Sequence, residues 1–175
     1  LLSGDGVDVH ETKSRVAVAL VESIFRRARY RVCPREMATV GRSLRDDFAP
    51  KFEASRTTED GVVRDFLVDV AYRPFLGPFI DLENQRRQAS IFALARRQWP
   101  NLRSVVVTDH PEPGRSCFQA VQLDERTAGP RLSGVDLIAA AELEIFAQNV
   151  ADHEELLLRI FALLSTERRR PATQG

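Results

Sequence analysis

Between Val62 and Gln85 the chain reads VVRDFLVDVAYRPFLGPFIDLENQ, two apolar runs in which acidic residues fall at alternate positions. Alternation of that kind is the signature of a half-buried strand, because successive side chains on a strand point to opposite faces. The pattern predicts one strand over 62–72 and another over 79–84, with a bend at PFLGP between them. Asp65, Leu67 and Asp69 then share one face, and Asp81, Glu83 and Gln85 share one face. Carboxylates gathered on neighbouring strands repel one another unless a cation joins them, so the stretch has the chemistry of a divalent-metal site. The plainer reading is the solvated side of an antiparallel sheet, with Asp81 or Asn84 capping a following helix.

The flanking sequence supplies the other elements. Val16, Ala17, Leu20, Val21, Ile24 and Ala28 recur at helical spacing and predict a helix over 11–30, with Glu22 and the arginines turned outward. Pro34 stops anything helical before it, and a short helical turn is expected from Ser43 to Ala49 ahead of Pro50. Lys51 to Arg56 pairs with Val62 to Tyr72 across TTEDG, where Asp60-Gly61 reads as a hairpin turn. Gln85 to Trp99 returns to helical period, Arg103 to Thr108 reads as a buried strand, and Cys117 to Leu123 reads as a further strand. Ser133-x-x-Asp136 and Asp152-x-x-Glu155 resemble helix caps and predict two C-terminal helices, 134–149 and 153–168; one long helix is the alternative.

Composition limits the classes available. A chain of 175 residues builds one sizeable core, so a single domain over 1–175 is expected. Its 25 basic and 25 acidic residues cancel, and charge alone argues neither for nor against nucleic acid. No apolar run approaches the roughly 20 residues of a membrane span, and Cys33 and Cys117 stand far apart without CxxC spacing. A reducing cytoplasm, no membrane association and neither a zinc knuckle nor a disulfide framework are the expectations. The chain starts at Leu1 without Met, as a piece of a longer polypeptide would.

The predicted order of helix, β-hairpin, third strand, helix and buried strand resembles the αβββαβ core of the PD-(D/E)XK, or restriction-endonuclease-like, nucleases. The resemblance covers Glu11 to Thr108 and implies an α/β fold with a mixed central sheet of about five strands. The nuclease-like core would span 11–124, with two helices added over 133–168. In that family an acid on the second core strand and a carboxylate-x-Lys on the third hold one or two Mg²⁺ (or Mn²⁺) ions. The ion activates a water that attacks phosphorus in line. The resemblance therefore implies metal-dependent phosphodiester hydrolysis, with Asp69 and Glu83 as metal ligands and Asp81 as a further one. Gln85 stands where the family has its lysine. Glutamine can orient a water but brings no charge, so Lys51 or Arg86 is the candidate source of one.

Arg86, Arg87 and Arg97 follow the acidic run and, with Lys51, are the expected contacts to nucleic acid, DNA in particular. Equally, such arginines form an ordinary solvated helix face. Other chemistries find little support. Neither GxGxxG nor GxxxxGK[ST] occurs, no glycine-flanked serine nucleophile is present, and Asp109-His110 sits in a loop with His10 and His153 at no useful spacing. The rival functions are a catalytically inactive nuclease-fold module that binds DNA or protein, and a regulatory domain that homodimerises through its apolar C-terminal helices.

Overall fold

A computed structural model describes residues 8–35, 49–126 and 129–167. Helix α1 (Val9–Arg27) starts at Asp8, whose carboxylate accepts from the N–H groups of His10 and Glu11. Strands β1 (Arg31–Pro34), β2 (Phe52–Thr57) and β3 (Val63–Tyr72) follow, then α2 (Leu76–Arg86), a 3-10 turn (Arg87–Ala89) and α3 (Ile91–Gln98). Strands β4 (Leu102–Val107), β5 (Phe118–Asp124) and β6 (Arg131–Asp136) lead through two 3-10 turns to α4 (Ala147–Glu167). The six strands form one sheet in sequence order. Every pairing is antiparallel except β3 with β4. Parallel neighbours cannot be joined by a tight turn, which is why the α2–α3 segment must cross over one face of the sheet.

Helices α1 and α4 cover the other face. There Phe25, Phe52, Phe118, Leu137, Leu143 and Leu157 are fully buried with alternate residues of the central strands, among them Val68, Val105 and Val107. Each such side chain contributes about 1.5–3 kcal/mol relative to exposure. The second, smaller core joins Leu76, Ile80, Phe92 and Ala95 of the crossover to Leu67, Leu102, Val106 and Val121. Among the described residues no helix is long and apolar enough to cross a membrane.

The α/β class, the first helix, the β2–β3 hairpin and strands β4 and β5 match expectation. Gly61 takes φ +77°, the left-handed backbone that the hairpin turn requires. Residues 79–84, expected as a strand, are instead helical. Leu76, Ile80 and Glu83 are the inward residues of α2, spaced i, i+4, i+7, and Pro78 lies in the first turn, where its missing N–H costs nothing. The single helix expected over 85–99 is two helices, interrupted where Arg87 adopts φ 49°.

The sheet has six strands rather than five because the strand expected over 79–84 is lost to α2 while β1 and β6 join the two edges. Residues 131–136 pair with β5 over the full length of β6, so Ser133 and Asp136 do not cap a helix. A single helix, α4, replaces the two expected at the C-terminus, and Asp152 lies within it, accepting from Gln148 and pairing with Arg27. The expected turn at 43–49 falls almost wholly outside the described residues.

Candidate functional site

Asp69 is placed by β3 on the face covered by the crossover, where it lies in parallel register with Ser104 of β4. It is 1% exposed, and among the described residues its Oδ1 has no hydrogen-bond partner. Burial pushes its carboxyl up to about 7, against the charges of Lys51 and Arg73 and a hydrogen bond from the Val70 N–H. A carboxylate in that position is costly because one backbone hydrogen bond and two nearby charges do not make up for the water it has lost.

Glu83 is also buried, 2% exposed, but its surroundings are the opposite. Oε1 accepts from Arg86 Nη1 at 2.9 Å, while Oε2 accepts from Ser90 Oγ at 3.0 Å and from the Ile91 N–H at 3.0 Å. Ser90 is in turn the N-cap of α3, accepting from the Phe92 N–H. The carboxylate thus fastens the end of α2 to the start of α3 across the Arg87 break, and both of its oxygens are engaged in doing so.

The remaining predicted residues do not join these two. Asp81 and Gln85 lie on the exposed side of α2, and Asp65 is exposed on β3. Because 79–84 is helical, Asp81, Glu83 and Gln85 do not share a face at strand spacing. Among the described residues no three His, Cys, Asp or Glu groups come together to hold a metal ion. Among the described residues the groups expected to bind Mg²⁺ therefore do not fit it: Glu83 is internally bonded, Asp81 faces solvent, and neither forms a cluster of ligands with Asp69.

Of the basic residues, Arg86 is held by Glu83, whereas Arg87 and Arg97 point outward. Lys51, half-buried, donates its backbone N–H to Val68 O at 2.7 Å and so lies beside Asp69 at the edge of β2. In α4, Leu157 and Phe161 face the core, leaving Leu156, Leu158 and Leu163 exposed.

A polar centre that sequence reasoning passed over lies at the carboxyl ends of β3 and β4. Asp109 accepts from Lys13 Nζ at 3.0 Å and from Tyr72 OH at 2.8 Å, and lies 3.0 Å from His110 Nδ1. Burial alone would raise the Asp109 carboxyl, but the hydrogen bonds from Lys13 and Tyr72 and the charges of Lys13 and His110 outweigh it and hold the group low. Tyr72 is driven upward by burial and by its bond to Asp109. His110 and Phe75 stack at 5.0 Å on the rim of a pocket of about 260 Å³. The Cys117 thiol is pushed up to about 11, by burial first and then by Glu154 and Asp109, which makes it a core thiol rather than a nucleophile.

A groove of about 890 Å³ surrounds the turn end of the β2–β3 hairpin. Val62, Val63 and Phe146 line it and are 56%, 60% and 46% exposed. Arg56 and Arg64 face each other directly across the hairpin, and Glu144 stands between them as the counter-ion of both.

No family model, curated protein or solved structure matches the chain.

Proposed function

We propose that the domain is a non-catalytic protein-binding module on a restriction-endonuclease-like scaffold. The observation that carries this reading is the engagement of both Glu83 oxygens inside the fold. The run α1-β1-β2-β3-α2-β4 does follow the αβββαβ order, but one strand earlier than the sequence suggested. On that alignment the carboxylate-x-Lys position falls on Asp69-Val70-Ala71, with alanine where the lysine belongs. The acid of the second strand becomes Glu53, which is exposed and paired with Arg35. Among the described residues no group of three ligating side chains forms there, and one acid does not make a metal centre.

A protein ligand suits the surface better than nucleic acid does. Net charge is zero, and of four expected phosphate contacts Arg86 is tied to Glu83 and Lys51 is half-buried. Exposed apolar side chains instead cluster in the groove at the hairpin turn, the usual mark of an interaction site. The test is incubation of supercoiled plasmid and single-stranded oligonucleotide with Mg²⁺ or Mn²⁺, comparing the parent with Asp69→Asn and Glu83→Gln. No metal-dependent cleavage by any of the three is expected, together with weak DNA binding. Cleavage by the parent that disappears in Asp69→Asn, or tight DNA affinity falling steeply with salt, would overturn the reading.

A further inference from the structure

We propose that the groove at the turn end of the β2–β3 hairpin is a two-fold interface that binds a second copy of this chain. The inference rests on the domain acting by binding rather than by hydrolysis. Two kinds of side chain meet in the groove. Val62, Val63 and Phe146 supply exposed apolar surface. Around them stand charges that, among the described residues, have no partner of opposite sign: Arg29 before β1 and Arg31 at its start, Glu59 and Asp60 from the β2–β3 turn, and Asp65 of β3.

The other pair of arginines in the groove is already answered by Glu144. The groove as a whole carries four arginines and four acids, in balance, with the unpaired positive charge beside β1 and the unpaired negative charge on the β2–β3 hairpin. Self-complementarity is what a two-fold interface demands, since each residue's contact is repeated with the roles exchanged: the arginines of one copy meet the acids of the other, twice. An apolar centre with arginine and an aromatic ring near it is the usual composition of such a contact. A purely acidic or purely basic partner would leave half of these charges opposed to their own sign.

Sedimentation velocity at high micromolar concentration tests the proposal with three proteins: the parent, Arg29→Glu/Arg31→Glu, and Glu59→Arg/Asp60→Arg. All four substituted side chains are exposed, and unchanged circular dichroism confirms folding. The parent is expected to be a dimer, each variant a monomer, and an equimolar mixture of the two variants a dimer again, because only the mixed pair restores both sets of contacts. A monomeric parent, a variant that dimerises as the parent does, or a mixture that stays monomeric would each overturn it. A monomer that neither cleaves nor binds DNA would remove the dimer and leave the binding-module reading intact. Metal-dependent cleavage by a dimer would do the reverse.

Discussion

Two buried aspartates respond to pH in opposite senses. Asp69 has a folded-state pKa of about 7 against an ordinary value of 3.8, so the folded protein holds a proton there that the unfolded chain releases. Its contribution is fully present below about pH 4 and is lost as pH rises to about 7, after which nothing more changes. At about 1.4 kcal/mol for each pH unit, the loss reaches about 4 kcal/mol. Urea unfolding at pH 5 and pH 8 should therefore show the parent losing stability relative to Asp69→Asn, which cannot titrate; parallel behaviour of the two proteins would refute the assignment. Asp109, held low by Lys13 and Tyr72, behaves the other way. Its stabilisation is present above the usual carboxylate pKa and disappears as acid protonates it.

The crossover element owes its geometry to two polar side chains. Glu83 ties α2 to α3, and the neighbouring Asn84 seals the outer edge of β6. Asn84 Nδ2 donates to Leu132 O at 3.0 Å, and the Leu132 N–H donates to Asn84 Oδ1 at 2.7 Å. This side-chain amide takes the place of a seventh strand, and Arg115 Nη2 covers the next outward carbonyl, that of Gly134, at 2.7 Å. An edge covered in this way cannot template pairing with another chain. Asn84→Ala leaves both Leu132 groups unpaired and should cost about 1–3 kcal/mol, with faster aggregation on heating. A change below a few tenths of a kcal/mol in urea unfolding would show that water replaces the amide. At the same edge Leu76 packs against Gly134, where an added methyl would lie 3.0 Å from Leu76 Cδ2 and 2.9 Å from Gln119 Oε1.

Across the whole molecule, Lys13 and Asp109 join the first helix to the loop after the fourth strand. Lys13 reaches over the rings of Tyr72 and Phe161 to make that pair, so α1, β3, β4 and α4 converge there. Both side chains are nearly buried, 11% and 8% exposed, so removing one partner strands the other's charge. Lys13→Met is expected to cost about 3 kcal/mol, and adding Asp109→Asn should recover part of it. Equal and additive losses in the double-mutant cycle would show that the pair is not coupled.

What the sequence determined by itself is what local period and turn chemistry can specify. The apolar stripe of α1 allows only one buried face, Asp60-Gly61 fixes the hairpin, and the unbroken RSVVVT run has to be an interior strand. Asp69 is likewise placed on its strand face by alternation alone. Residues 79–84 were beyond that kind of inference, because a short apolar run fits both periods and only packing of Leu76 and Ile80 beneath the crossover selects the helix. Strands β1 and β6 exist through their neighbours, since a four-residue edge ending in proline and a glycine-containing run have little strand preference of their own. Glu83 looked like a ligand because its hydrogen-bond partners, Ser90 and the Ile91 N–H, are brought to it by a backbone turn that no spacing rule announces. The Lys13–Asp109 pair spans 96 positions, and contacts at that range are decided by how the helices settle on the sheet.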